Sequence, residues 1–380
     1  MIKPVDKLTV LYEGKTVGTL ARTPDGLFPF EYSNTWLMQG FPLNPLTLPL
    51  QKGVFLPKPT PLEGMFGVFN DSLPDGWGHL LVDRMLRAHA EDPYSVDALT
   101  RLAIVGHSGM GALCYEPAYD IIAANPPNKN LDLLAQEASH LLAQKPIDNL
   151  DTLFILGGSS GGARPKILTN INGQDWIIKF PSSYDPPSIG QQEYQYALCA
   201  QQCGINMPEV RLFASQLCAG YFGVKRFDRS NKGQKTHMVS VSGLLETSHR
   251  TPNLDYKTLM KLTLTLTQSP SEAQQLYRLM CFNVFAHNRD DHSKNFSFLY
   301  NDKSRQWQLA PAYDLTYSSS FNGEHATTVA GNGKDPGIKD LLAVADFAGL
   351  SLRWAKQTAE DIEATVLSCP TVMDARFQGA

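Results

Sequence analysis

With 380 residues the chain can form two or three compact units with ample core. Its formal net charge of −4 argues against a broad nonspecific grip on nucleic acid. Six cysteines lie scattered without Cys-x-x-Cys spacing, Met1–Asp6 carries no apolar signal core, and no apolar run is long enough to span a bilayer, so the chain reads as reduced, cytoplasmic and without membrane contact. From Lys7 to about Tyr119 short strands and turns dominate: Leu8–Tyr12 and Thr16–Leu20 flank Glu13-Gly14-Lys15, a hairpin pattern. Dense proline from Phe41 to Pro61 forbids long regular elements, and Leu80–Leu86 restores a helical period. Asn125–Asn130 reads as a linker ahead of a helix predicted over Leu131–Gln144. A glycine-rich hairpin then opens a second region that runs to the strand end Val224–Arg229. Beyond it lies a mostly helical region, with helices predicted over Tyr256–Leu266, Ser271–Ala286 and Ile338–Leu367. Cys199 and Cys203, a helical turn apart, are expected to pack rather than ligate. No internal repeat is visible.

The chemistry-bearing residues fall in the second and third regions. Leu156 to Ile167 contains Gly157, Gly158, Gly161 and Gly162 with Ser159 and Ser160, ahead of strand-like sequence. Glycines let backbone N–H groups approach phosphates closely, although four glycines with two serines also suit a flexible hairpin. The loop is not a Walker A loop, because Ala163-Arg164 follows Gly162, and Pro165 rules out the helix of a Rossmann turn. Trp176–Pro181 is a strand with one lysine, Lys179, among apolar neighbours; such a lysine either snorkels to the surface or meets phosphate. The helix-like segment Gln191–Cys199 offers Glu193 as its partner. Asn288–Asn295 places Asp290 five positions before Asn295, and Tyr313-Asp314-Leu315 follows an apolar strand. Polar clusters of this kind are commonly surface turns. Protein kinases nonetheless place a catalytic Asp, an Asn five residues on and a metal-binding Asp beyond the next hairpin in this order, after a glycine loop, a strand lysine and a helix glutamate.

These pieces together resemble the HipA family of bacterial serine/threonine kinases, the toxins of HipBA-type toxin–antitoxin systems. The resemblance rests on Ser159–Lys166, Ile178–Pro181, Val224–Arg229, Asn288–Ser297 and Ala310–Asp314. It extends to Gly14–Gly18, Phe69–Gly76 and Gly106–Leu113, so it covers nearly the whole chain. It implies an α+β, two-lobed, protein-kinase-like fold. Residues 1–120 would form the β-rich N-terminal subdomain on the ATP lobe, 121–229 the linker helix and ATP-binding lobe, and 230–380 the helical lobe. The C-terminal helices are short against the family pattern, which implies a missing peripheral element.

The resemblance also implies roles. Asp290 orients the substrate hydroxyl and accepts its proton, and Asn295 and Asp314 hold Mg²⁺ between the phosphates of ATP. Ser160, Gly161, Gly162, Ala163, Lys166 and Lys179 surround the triphosphate. Lys225 and Phe227 lie on the hinge whose backbone reads adenine, Asp228 meets the ribose, and His292 and Tyr313 sit beside the nucleotide. The family usually has Glu where Lys225 stands, a change that backbone recognition tolerates. Lys294 is compatible with phosphate contact or with solvent. Ser159, with Ser160 as the second candidate, matches the family's inhibitory autophosphorylation site. The implied partners are a HipB-like helix-turn-helix antitoxin, through which DNA is mainly contacted, and a protein substrate such as glutamyl-tRNA synthetase or another aminoacyl-tRNA synthetase. Alternatives from other classes are a small-molecule or lipid kinase, a catalytically inactive co-repressor, and a metal-dependent nuclease. The nuclease leaves Lys179 and the glycine loop unexplained.

Overall fold

Glu13 and Gly14 turn the chain back on itself with both residues at positive φ (47° and 75°), as a tight two-residue hairpin turn requires. In the computed structural model, which describes residues 3–119, 130–230 and 233–378, this turn joins strand β1 (Lys7–Tyr12) to β2 (Lys15–Ala21). Leu8, Val10 and Tyr12 alternate inward, so one face of the sheet is core. With β3 (Phe30–Tyr32), β4 (Val54–Phe55) and β5 (Leu113–Glu116), the strand order is β4-β3-β2-β1-β5. Gly18 is needed here, because a Cβ would lie 2.3 Å from the Glu31 carbonyl and 2.5 Å from the Phe30 ring. The proline-dense stretch holds one short strand, β4, and an isolated Asn44–Leu48 bridge, as expected. The helical period at Leu80–Leu86 belongs to a helix over Trp77–Ala88.

Residues 125–129 of the expected linker lie outside the described residues. Asn130 caps the helix Leu131–Leu142 by accepting from the Leu133 N–H at 3.2 Å. A second helix, Leu150–Gly157, was not expected: the glycine loop joins this helix to a strand and is not a hairpin. The turn leading into that helix is tied to a residue remote in sequence: buried Glu137 accepts from the N–H groups of Asp148 (3.0 Å) and Asn149 (3.3 Å).

A four-stranded sheet follows, made of β6 (Lys166–Ile171), β7 (Gln174–Lys179), β8 (Val210–Phe213) and β9 (Tyr221–Lys225) in the order β6-β7-β9-β8. Ile167, Trp176 and Ile178 pack from one face onto Leu134, Leu141, Leu153 and Leu156 of the two preceding helices.

The chain divides into two compact units: the part up to Gly190 with Leu212–Thr247, and Gln191–Arg211 with the part from Ser248 onward. The second unit is mostly helical. Ser269 caps the helix Pro270–Phe285, with proline at its first position, and this helix packs against Tyr256–Thr267 and Leu352–Leu367. The single helix expected over Ile338–Leu367 is two, Ile338–Phe347 and Leu352–Leu367. Gly349 at φ 68° breaks it and Ser351 caps the second half. The mixed α+β architecture is the expected one. All six cysteines are free thiols. Among the described residues no helix is long and apolar enough to cross a membrane.

Candidate active site

In the first unit, strand register sorts the candidate residues by face. Lys166 and Lys179 are direct partners in the antiparallel β6–β7 pair, as are Leu168 and Ile177. Directly opposed residues share a face, so both lysines lie opposite the core face of Ile167, Trp176 and Ile178. Like charges directly opposed are unfavourable unless an anion compensates them. The pair puts two ammonium groups on one face, next to half-buried Leu168 and Ile177. Lys166 is buried and its ammonium donates to the Gly161 carbonyl at 2.6 Å, while the Lys179 ammonium stands 5.6 Å from the centre of the Phe222 ring. Val224 pairs with Ile177 on the lysine face, whereas Lys225 pairs with Trp176 on the core-side face. The departure from the family's usual Glu thus concerns a side chain directed away from the lysine face.

The loop between Gly157 and Lys166 is held from behind by residues to which the sequence assigned no role. The Asp75 N–H donates to the Ser160 carbonyl (3.3 Å), the Trp77 N–H to that of Gly162 (2.9 Å), and the Trp77 indole to that of Lys166 (3.0 Å). This approach demands glycine on the bracing side. A Cβ on Gly76 would lie 2.4 Å from the Gly162 carbonyl, and one on Gly78 2.2 Å from that of Ser160. With the carbonyls of Ser160, Gly161 and Gly162 all engaged, the exposed stretch Gly161–Ala163 offers amide donors suited to an anion. Ser159 and Ser160 are buried: the Ser159 hydroxyl donates to the Ser108 carbonyl (3.0 Å) and that of Ser160 to the Gly157 carbonyl (2.6 Å).

Asp228 is not placed as a ribose ligand. Its carboxylate is 1% exposed and accepts from Arg226 (2.9 and 2.7 Å), Arg229 (2.9 Å) and the Gly111 N–H (2.8 Å). Burial works against its charge, but Arg226 and then Arg229 outweigh that and hold its pKa below the ordinary carboxylate value. Arg229 also donates to the carbonyls of Gly109 (2.8 Å) and Gly111 (2.7 Å), so this cluster fastens the Gly106–Leu113 stretch to the end of β9. Phe227 lies between these arginines in sequence and is half-buried.

In the second unit, the helix Pro270–Phe285 is followed by His287, whose φ of 52° turns the chain into the candidate catalytic loop. The Asp290 side chain is 60% exposed, and the Asn295 amide donates to the Asp290 carbonyl at 2.7 Å. That bond uses the amide nitrogen of Asn295 and leaves its side-chain oxygen as the acceptor end. Asn295 and Asp314 each carry a hard oxygen of the kind Mg²⁺ takes, an ion that keeps several waters and needs few protein ligands. Asp314 holds φ at 58°, a left-handed conformation that Asp tolerates and that functional sites often retain. His292 accepts the Lys294 N–H on Nδ1 (3.2 Å), so the neutral ring carries its proton on Nε2, 3.9 Å from Asp290. Tyr313 is a strut: its hydroxyl donates to the Lys294 carbonyl (2.6 Å) and lies 2.6 Å from the Ser297 hydroxyl. Glu193 is buried on the helix Ile189–Gln202. Asp291, which the spacing argument passed over, is buried among Tyr256, His325 and Thr327.

The sequence matches the family described as HipA-like C-terminal domain over residues 158–369 and the HipA N-terminal domain over residues 8–116. A Sinorhizobium fredii protein named "Putative kinase Y4dM" is 24% identical over 388 residues, covering 95% of this chain and 91% of that protein. A second protein of that organism, "Putative kinase Y4mE", is 25% identical over 345 residues, covering 83% of this chain and 78% of its own length. Among solved structures, HipA of Shewanella oneidensis MR-1, in complex with HipB and its operator DNA, superposes with a TM-score of 0.69. It is 18% identical, over 98% of this chain and 95% of that one.

Proposed function

This chain belongs to the HipA family, and we propose that it is an ATP- and Mg²⁺-dependent serine/threonine protein kinase. The observation that carries the reading is the cross-strand pair Lys166–Lys179 beside a braced glycine loop in one unit, together with Asp290, Asn295 and Asp314 in the other. Gly161, Gly162, Ala163, Lys166 and Lys179 bind the triphosphate, and the backbone around Lys225 and Phe227 reads adenine. Asn295 and Asp314 hold Mg²⁺, which supplies charge neutralisation on the phosphates. Asp290 orients the acceptor hydroxyl and takes its proton as the phosphoryl group leaves ATP; the transfer is mainly positioning, so a strong base is unnecessary. His292 and Tyr313 shape the same loop. Calorimetry with a non-hydrolysable ATP analogue is expected to show binding that weakens at least about tenfold in EDTA. Equal binding in EDTA would contradict the metal assignment.

The solved relative's complex with HipB and operator DNA supports a cellular reading as the toxin of a toxin–antitoxin pair. The partner is a HipB-like helix-turn-helix protein that carries the DNA contacts. The substrate is a translation protein, with an aminoacyl-tRNA synthetase such as the glutamyl enzyme the first to test, and the site of action is the cytoplasm. Expression without the partner is expected to slow bacterial growth. Undiminished growth with active protein present would contradict the toxin reading.

Autophosphorylation at Ser159, with Ser160 second, is the proposed off-switch. Ser159 is 7% exposed and bonded to Ser108, so a phosphate cannot be accommodated where the hydroxyl lies. The modified loop must leave its brace, and the amide donors leave with it. Mass spectrometry of protein incubated with Mg-ATP is expected to find Ser159 modified first. A Ser159-phosphorylated form with full activity would remove the claim.

A further inference from the structure

The catalytic loop owes its shape to a buried polar ring that closes around Asp290 without including its side chain. The Asn288 amide donates to the Asn283 side-chain oxygen (2.9 Å), the Asn283 amide to the Tyr256 hydroxyl (2.9 Å), and that hydroxyl to Asp291 (2.8 Å). Both ends of this chain of bonds lie on the loop, at Asn288 and Asp291, with Asp290 between them. Asn283, Asn288 and Asp291 are at most 2% exposed, and Tyr256 is fully buried.

The segment after Asp314 is tied to the same backbone. The Ser318 N–H donates to the His287 carbonyl and the Ala326 N–H to that of Arg289, each at 3.0 Å. Asp291 takes the rest: His325 Nδ1 at 3.0 Å and the Thr327 N–H at 3.1 Å on its carboxylate, and the Thr327 hydroxyl at 2.5 Å on its carbonyl. Asp255, next to Tyr256, accepts from the Thr328 hydroxyl (2.6 Å) and the Gly331 N–H (2.8 Å). The segment is thus held by two aspartates, Asp291 and Asp255, as well as by these backbone bonds.

We propose that Asp291 is the positioning residue of the transfer centre: it fixes the backbone that aims Asp290 and fastens the segment after Asp314 to that backbone. The proposal rests on the phosphotransfer reading above. An ionised carboxylate suits the position because three donors converge on it and it offers only acceptors. Burial, and then the charge of Asp291, raise the Tyr256 pKa well above the ordinary phenol value, so its hydroxyl keeps the proton it donates. Asparagine at 291 has the same shape but turns an N–H donor toward groups that already donate.

The test measures single-turnover phosphate transfer against Mg-ATP concentration for Asp291→Asn, with backbone hydrogen exchange on the same protein. The maximal rate is expected to fall about 30-fold while the half-saturating ATP concentration moves less than about threefold, because ground-state binding is untouched. Exchange should quicken over residues 287–291 and 325–328 and stay unchanged over 166–179. If Asp291→Asn does not fold, Tyr256→Phe removes one bond of the ring and should give the same pattern with a smaller fall, about threefold. Unaltered transfer with unaltered exchange would overturn the proposal, as would loss of protection throughout the chain, which marks a merely structural residue. Absence of transfer by the unsubstituted chain would break the kinase reading instead, and unchanged exchange in Asp291→Asn would then still overturn the fastening.

Discussion

The glycine loop and the catalytic loop are both fixed in place, but by opposite means. Asp75, Gly76, Trp77 and Gly78 hold the first mainly by backbone approach, through N–H bonds to carbonyls and contacts too close for a Cβ, with one side-chain bond from the Trp77 indole. Buried side chains hold the second: Asp291, Tyr256, Asn283 and His325. A loop held by backbone proximity keeps its amides in place for a ligand and fails when volume is added. A loop held by a polar ring keeps one exposed carboxylate aimed and fails when a donor–acceptor match is lost.

Substitutions at three positions probe that contrast, starting with the largest effect. At the end of β9, the buried Asp228 carboxylate is shared by Arg226 and Arg229, and Asp228→Ala would remove the carboxylate that both guanidinium groups bond to. Breaking a buried pair costs about 3–5 kcal/mol, to be read as a lower denaturation midpoint by chemical unfolding. The same carboxylate gives a pH signature. Its folded pKa is depressed, so its stabilisation is present above the unfolded carboxylate value of about 4 and is lost as pH falls through the folded one. Acid titration of stability should therefore be shallower in Asp228→Asn than in the unsubstituted chain.

Gly78→Ala puts a Cβ into the Ser160 carbonyl, and overpacking of this kind costs about 1–3 kcal/mol. The comparison predicts that ATP affinity falls in the same variant, measured by calorimetry, because the displaced loop carries the amide donors. Unchanged affinity would show that the brace does not shape the loop. Smallest is Tyr256→Phe, which deletes one neutral hydroxyl and should cost about 1 kcal/mol, with no change in ATP affinity. A fall in affinity there would erase the division between the two loops.

What the sequence disclosed follows the same physical line. The five-residue step from Asp290 to Asn295 is local, and the structure joins the two by a hydrogen bond. Lys166 and Lys179 flank a tight hairpin, so their shared face follows from two-residue alternation. The ring around Asp290 was hidden because Tyr256, His325 and Thr327 lie 34 to 36 positions from Asp291. Asp228 misled because a carboxylate at a strand end reads alike whether it awaits a ribose or meets two arginines. The helix Leu150–Gly157 escaped notice because it has no local side-chain cap, and its glycines stop a helix rather than turn a hairpin. The brace could have been suspected from Gly76-Trp77-Gly78, where two glycines flank a tryptophan at a helix start.

The central claim is that Asp290 serves the transfer step and not the nucleotide. Replacing it by Gln and following both ATP-analogue binding by calorimetry and phosphate incorporation from labelled Mg-ATP separates the two. Binding should remain within about threefold of the unsubstituted chain while incorporation falls at least about a thousandfold. Wild-type incorporation by Asp290→Gln would contradict the account.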